Sequence, residues 1–281
     1  MALKLMFITN NPAIALAAEK SGVDRIWIDL ETKGKELRQK NMDTVKSHHT
    51  IADIQNMAKV LNAAELMVRI NPWDQDSAQE IENVISAGAT RIMLPMWKTP
   101  REVDAFLTAV GKRVATTLLL ETKEAVECLD TILDNPMVEE IHIGLNDLHL
   151  SYGLSFMFEL LSNGTVEMLC NKIAKKGIPY GFGGIARIGE GLLPAERILC
   201  EHIRLGSSAV ILSRAFYDPK KNPDITNVET IFQDGVGALR ENEEKYSQYE
   251  NAQLLSLQKE TSAIISSIAT QIRKAKEALC T

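Results

Sequence analysis

The chain has little cysteine: 281 residues hold four, Cys128, Cys170, Cys200 and Cys280, with no CxxC pair. Their spacing matches no zinc or disulfide framework, so they are expected to be reduced, mostly buried thiols in a cytoplasmic protein. It also lacks an excess of charge of one sign. A formal net charge of -6, spread without long blocks, supplies no basic face for nucleic acid. No apolar run reaches the ~20 residues that a bilayer span requires. The opening segment is broken by Asn10, Asn11 and Pro12 before an apolar run could serve as a signal, so no membrane or export address is expected.

What is present is a rhythm. Short apolar runs alternate with helical patterns as far as Phe216, which is the mark of βαβ units around a parallel sheet. Strand candidates are Leu3–Thr9, Arg25–Leu30, Leu66–Ile70, Arg91–Leu94, Val114–Leu120, Glu140–Gly144, Tyr180–Gly183 and Ala209–Leu212. Most are rich in Val, Ile, Leu and Met, as strands covered on both faces should be. Eight evenly spaced runs favour a (β/α)8 TIM barrel over an open doubly wound sheet. Helices are expected over Ser77–Ala87, Pro100–Val110 and Lys123–Leu133, opened by Asp76 or Ser77, Thr99 and Thr122, with Gly88, Gly111 and Gly177 where helices should stop.

After Pro219 the rhythm changes. Residues 1–218 are assigned to the barrel and 219–281 to an appended C-terminal helical segment. There Leu254, Leu257, Ile264, Ile268, Ile272, Ala275 and Leu279 recur at spacings of three, four or seven and form one apolar stripe. Two readings of that stripe stand side by side: a helix packed on its own barrel, or the contact of a homo-oligomer.

Strand ends in such a barrel open onto one face, so acids placed there converge. Glu121 closes the fifth run, and Asp147 follows the sixth. Two carboxylates suit a hard divalent cation, Mg²⁺ or Mn²⁺ with Co²⁺ as an alternative, and leave positions open for water or substrate. Arg69 ends the third run, where a guanidinium can face a developing oxyanion. Asp29 and Glu31 add two more carboxylates after the second run, with Glu31 alternatively a partner of Lys33 or Lys35. Four acids do not stay ionised together without cost, so either a cation neutralises them or some titrate high. His48 and His49 precede the helix before Arg69 and are candidates for proton transfer. His142, His149 and His202 are assigned structural places, with only His149 near enough in sequence to the site to stay in reserve. Gly181-Phe-Gly-Gly-Ile-Ala186 follows the seventh run and has no following acid, so it fits tight barrel closure better than a dinucleotide loop, with Arg187 a candidate anion contact.

Several of these pieces together resemble the HpcH/HpaI aldolase and citrate lyase family of metal-dependent barrel enzymes. They are Gly22-Val-Asp-Arg-Ile-Trp-Ile-Asp-Leu-Glu31, Val68-Arg-Ile-Asn71, Ala87-Gly-Ala-Thr-Arg-Ile-Met-Leu-Pro-Met96, Leu120-Glu-Thr122 and Ile141-His-Ile-Gly-Leu-Asn-Asp-Leu148, within a likeness spanning roughly Gly22 to Phe216. The resemblance implies that Glu121 and Asp147 bind the cation, that Arg69 faces the oxygen becoming an enolate, and that the backbone of Gly144, Leu145, Asn146 and Asp147 holds the substrate carboxylate. Family aldolases place a histidine directly after the acidic strand end; Thr32 stands there instead. If Lys33–Lys46 is an insertion, the His-x-x-x-Asp spacing of His49-Thr-Ile-Ala-Asp53 makes His49 the base, with Asp29 as its orienter. Leu119 replaces a glutamine common among the pyruvate aldolases, which implies a pocket that is drier or shaped for a different acceptor.

The expected activity is reversible aldol cleavage of a small keto acid, a 2-keto-3-deoxy or 4-hydroxy-2-oxo acid, to pyruvate and an aldehyde. Asp29-Leu-Glu31 also resembles citryl- and malyl-CoA lyases, although the basic pattern that follows there is not reproduced. A third possibility is a non-catalytic barrel scaffold that recruits a partner through its terminal helix.

Overall fold

Eight parallel strands hydrogen-bond in sequence order, and β8 returns to β1, so the sheet closes. The computed structural model describes residues 2–34, 49–222 and 224–280. The strands are β1 (Lys4–Ile8), β2 (Arg25–Asp29), β3 (Glu65–Arg69), β4 (Arg91–Leu94), β5 (Ala115–Leu120), β6 (Ile141–Ile143), β7 (Tyr180–Ile185) and β8 (Ala209–Leu212). Each expected run therefore forms a strand, and the architecture is the (β/α)8 barrel. The helices outside it are α1 (Pro12–Lys20), α2 (Ile51–Val60), α3 (Ser77–Ser86), α4 (Pro100–Val110), α5 (Lys123–Glu127) and α6 (Leu129–Leu133). Then come α7 (Leu145–Ser151), α8 (Glu159–Ser162), α9 (Thr165–Ala174), α10 (Ala195–Arg204), α11 (Val228–Ser247) and α12 (Asn251–Cys280).

Local chemistry accounts for several helix boundaries. Thr99 caps α4 in a reciprocal box with Glu102, and Gly111 ends it with a left-handed φ of 60°. Thr122 caps α5. The single helix expected over Lys123–Leu133 is instead two, because Cys128 leaves helical geometry at φ -101° and ψ 7° and turns its thiol toward the Lys98 carbonyl. Asp76 makes no side-chain cap on α3; Asp74 takes that role by accepting from the Asp76 amide and the Ser77 hydroxyl.

Alternation along the strands divides the side chains between two environments. Leu5, Phe7, Ile26, Ile28, Leu66, Val68, Ile92, Leu94, Leu118 and Leu120 face the helix ring and form the main core. Met6, Trp27, Met67, Met93, Leu119 and Ala209 fill the barrel interior as a separate cluster. Below that apolar layer, at the strand starts, fully buried Arg25 donates to both Glu140 oxygens at 2.6 and 2.8 Å and to Glu65 at 2.6 Å. Arg91 joins through Glu65 and Thr117, and Thr117 closes the network on Glu140. A charged floor thus lies under the apolar middle, and the strand ends above it are free to carry a second charged layer.

The long C-terminal helices lie on the barrel. α11 contacts α1 and α10, and α12 contacts α8 and α10. Ile265 and Ala269 are fully buried and Leu254 and Ile268 nearly so, while Ala275 is exposed and the Leu279 side chain lies outside the described residues. The apolar stripe is therefore used within the chain as far as Ile272. No helix among the described residues is long and apolar enough to cross a membrane.

Candidate active site

The last residues of β2 and β3 face each other in register, Asp29 opposite Arg69. The guanidinium grips the carboxylate with two bonds, Nε to Oδ1 at 2.9 Å and Nη2 to Oδ2 at 2.8 Å. Nη2 also reaches Glu31 Oε2 at 3.3 Å, and the indole of Trp27 lies 5.0 Å beneath the guanidinium. Both acids are 2% exposed. Burial works against the Arg69 charge, but the carboxylates of Asp29 and Glu31, with Glu121 beyond them, outweigh it and hold the guanidinium well above its usual range. Nη1 makes no hydrogen bond among the described residues.

Glu121 follows β5 and is 3% exposed; its Oε1 accepts from the Met96 amide at 3.1 Å. Met96 sits at φ 54°, a left-handed value that costs a non-glycine residue about 1 kcal/mol or more. That strained residue turns its N–H onto the acid. Gly144 presses on the same carboxylate: a Cβ there would come within 2.8 Å of Glu121 Oε2. Burial pushes the Glu121 carboxyl well above the usual carboxylate range, and the nearby negative charge of Asp147 adds to this, against the pull of Arg69 and the Met96 amide. Asp147 stands in the first turn of α7, which Gly144 opens.

This donor set fits an oxygen-preferring divalent cation. Two carboxylates repel each other in a buried place, a cation would relieve both, and a site of this kind keeps positions for water or substrate. Among the described residues no three His, Cys, Asp or Glu side chains gather as a metal cluster.

The residues singled out in the sequence distribute as follows. Asp29, Arg69, Glu121, Gly144 and Asp147 meet at the strand-end mouth. Leu145 is buried and can offer only its backbone, while Asn146 is half-buried. His49 reaches the site, but its Nδ1 accepts from the Asp29 amide at 3.0 Å. That contact corrects the expected arrangement: the Asp29 carboxylate is committed to Arg69, so it is the Asp29 main chain that orients the ring. Nδ1 thus faces a main-chain donor and not the expected Asp29 carboxylate. Asp53, the acid of the His-x-x-x-Asp spacing, caps α2 through Thr50. His48 and the assigned insertion from residue 35 onward lie outside the described residues.

Glu31 pairs with Arg69, while Lys33 binds Asp74 and Asp76 at 2.5 and 3.2 Å; Lys35 lies outside the described residues. Arg187 pairs with Glu190 at 2.8 Å. At Gly181 a Cβ would meet the Ala209 carbonyl at 2.3 Å and His142 Nδ1 at 2.8 Å, so this glycine serves barrel closure. His142, His149 and His202 are buried. Met96 was not visible as a site residue, since nothing in its side chain announces a left-handed backbone. Asn71 was, in principle, because it follows Arg69 by two and shares its side of the extended chain.

Barrel topology and a charged strand-end mouth together define the molecule as a (β/α)8 barrel with the layout of an enzyme. The sequence matches the HpcH/HpaI aldolase/citrate lyase family over residues 4–159, and the chain belongs to that family. The family is one of lyases, commonly dependent on a divalent metal. Among solved structures, an HpcH/HpaI aldolase from Desulfitobacterium hafniense DCB-2 superposes with a TM-score of 0.56 at 14% identity, over 81% of this chain and 93% of that one. A tryptophan synthase from M. tuberculosis gives 0.55 at 14% identity over 86% and 92%, and RipC from Yersinia pestis 0.53 at 17% over 82% and 94%. At these identities the likeness is one of fold. No curated protein matches the sequence.

Proposed function

We propose that the protein is a metal-dependent carbon–carbon lyase that reversibly cleaves a 4-hydroxy-2-oxo or 2-keto-3-deoxy acid to pyruvate and an aldehyde. The observation that carries this reading is the meeting of Arg69, anchored on one side by Asp29 and Glu31, with the Glu121–Asp147 carboxylates at one barrel mouth. A Mg²⁺ or Mn²⁺ ion held by Glu121 and Asp147 would withdraw electron density from the substrate keto group. Arg69 Nη1 supplies donors for the oxygen that becomes the enolate when the bond between C3 and C4 breaks. Such a preorganised donor is worth about 3 kcal/mol of barrier. Because Asp29 and Glu31 fix the guanidinium beforehand, little reorganisation accompanies the charge as it forms.

The opening turn of α7 leaves amides that no intrahelical carbonyl takes, at Leu145 and Asn146, to hold the substrate carboxylate. Cleavage moves one proton from the C4 hydroxyl to C3 of the enolate and condensation moves it back; water at the mouth carries it, and His49, held beside Asp29, is placed to hydrogen-bond the C4 oxygen. Leu119, buried under the site, keeps its floor apolar.

The test is pyruvate release from a panel of keto acids by purified protein with Mg²⁺, Mn²⁺ or Co²⁺, before and after EDTA. Metal-restored release supports the reading. Acetyl-CoA released from a malyl- or citryl-CoA substrate instead would assign the protein to the thioester lyases. Silence throughout would leave a scaffold.

A further inference from the structure

Glu31 reaches Arg69 from irregular chain beyond β2, so something must hold that chain in place. Its main chain is pinned on both sides. On one side the Leu30 amide donates to the Arg69 carbonyl at 2.9 Å. On the other, the consecutive amides of Thr32 and Lys33 converge on a single atom, Asn71 Oδ1, at 2.9 and 3.0 Å, and the Thr32 hydroxyl adds a weaker bond at 3.4 Å. One carbonyl oxygen with two lone pairs is thereby filled by the two amides that follow Glu31.

Asn71 is itself fixed. Its Nδ2 donates to Glu80 Oε1 at 2.8 Å, and its own amide points at both Glu80 oxygens at 3.3 Å. Glu80 rides on α3, which is part of the rigid helix ring. The bonding runs from α3 through Asn71 to the chain beside Glu31 and so to the guanidinium. The amide side chain accepts from the loop at Oδ1 and donates to the carboxylate at Nδ2 at once; aspartate and leucine offer no such donor.

We infer that Asn71 is a positioning residue that sets Glu31 against Arg69 by clamping the Thr32–Lys33 main chain, with Glu80 as its anchor. Its effect on turnover rests on the lyase reading; its effect on Arg69 does not. Loss of the clamp loosens the chain after Glu31, whose own amide donates to Asp29 Oδ1 at 3.2 Å, so the Glu31 contact with the guanidinium weakens and Nη1 is held less firmly where the enolate oxygen forms. Binding of cation and of substrate carboxylate, which use other groups, is left largely intact.

The experiment uses the full chain with Asn71→Asp, Asn71→Ala and the paired Asn71→Asp/Glu80→Gln exchange. Asn71→Asp keeps the acceptor but sets two carboxylates against each other, and the paired exchange restores a donor–acceptor contact with the polarity reversed. Expected are a fall in kcat of about tenfold or more for both single variants, with KM and Mn²⁺ affinity within about twofold. The paired variant should recover to within about threefold of the parent. Glu31→Gln should add little to Asn71→Ala, as coupled sites do. In the NMR spectrum the Arg69 Nε–H resonance should move in Asn71→Ala, and the Thr32 and Lys33 amides should exchange faster. A parent that cleaves no keto acid would sink the lyase reading while these NMR readouts still decide the clamp. An unmoved Arg69 resonance, or a paired exchange no better than Asn71→Asp alone, overturns the inference.

Discussion

Replacing Gly144 by alanine adds one methyl group in the tightest part of the site. The backbone there, at φ -81° and ψ 85°, suits any residue, so no conformational strain enters. The methyl carbon would lie 2.8 Å from Glu121 Oε2, 2.9 Å from Glu121 Cβ and 3.2 Å from Leu119 Cδ1, whereas ordinary contact begins at 3.4 Å. The carboxylate oxygen could retreat by rotation, but Cβ is tied to the end of β5 and moves only with the main chain. Over-packing of this kind costs about 1–3 kcal/mol. A functional constellation tolerates displacements of about 0.5 Å, and the shortfall at Oε2, 3.4 less 2.8 Å, is of that size. Gly144→Ala should therefore fold, melt a few degrees lower, and bind Mn²⁺ at least about tenfold more weakly, a loss of about 1.4 kcal/mol. Calorimetric titration of Mn²⁺ into EDTA-stripped protein, with circular dichroism melts alongside, measures both. Gly237→Ala is the control: apart from its own stretch of helix nothing lies within 4 Å of the added methyl, and a helix interior gains stability from the change. Unaltered Mn²⁺ affinity and melting in Gly144→Ala would refute the packing of Glu121 against this glycine as the basis of the site.

Glu121→Gln should stabilise the metal-free protein by about 1 kcal/mol at neutral pH while cutting Mn²⁺ affinity more than about tenfold. The sign follows from the raised Glu121 carboxyl: the folded state binds more protons than the unfolded one above the ordinary range, so the stripped parent gains stability as pH falls through that window, and melts in EDTA should show Gln abolishing the gain. Two buried histidines act in the opposite sense, since burial lowers His142 to about 4 and His202 to about 3. The unfolded chain binds more protons below their ordinary value, so their contribution is present above it and is lost on acidification, about 2 kcal/mol each between about pH 7 and about pH 4.5. Urea unfolding at those two pH values should show this loss reduced in His142→Leu; an equal loss would clear His142 of the effect. Glu140→Ala removes both Glu140 contacts of fully buried Arg25, leaving only Glu65 as its carboxylate partner, and should cost about 3 kcal/mol by urea midpoint; a cost under about 1 kcal/mol would contradict the floor network.

The barrel was legible because strand burial on both faces writes itself as short runs of Val, Ile, Leu and Met, and such a run needs no knowledge of its neighbours to be recognised. All eight formed where the pattern put them, with ends displaced by a residue or two. The layering inside was legible only in part. The Arg25 and Glu140 pair is separated by 115 residues and depends on closure of the sheet, which no local window contains. At the site, position along the strands was enough to bring Asp29, Arg69 and Glu121 to one end. What each residue does there was decided by contacts orthogonal to the strands.

His49 shows the difference. Its spacing to Asp53 suggested a base and an acid acting on it, but Asp53 satisfies the first turn of α2 and the Asp29 carboxylate is taken by Arg69. Its contact with the Asp29 main-chain amide at Nδ1 exists wherever β2 ends beside that ring and carries no signature in residue identity. Side-chain type tells which atoms can donate or accept; the direction of transfer depends on which of them the backbone has already occupied. In this barrel the backbone donates to Nδ1 of His49, Oε1 of Glu121 and Oδ1 of Asn71, and each contact limits what that atom can still do.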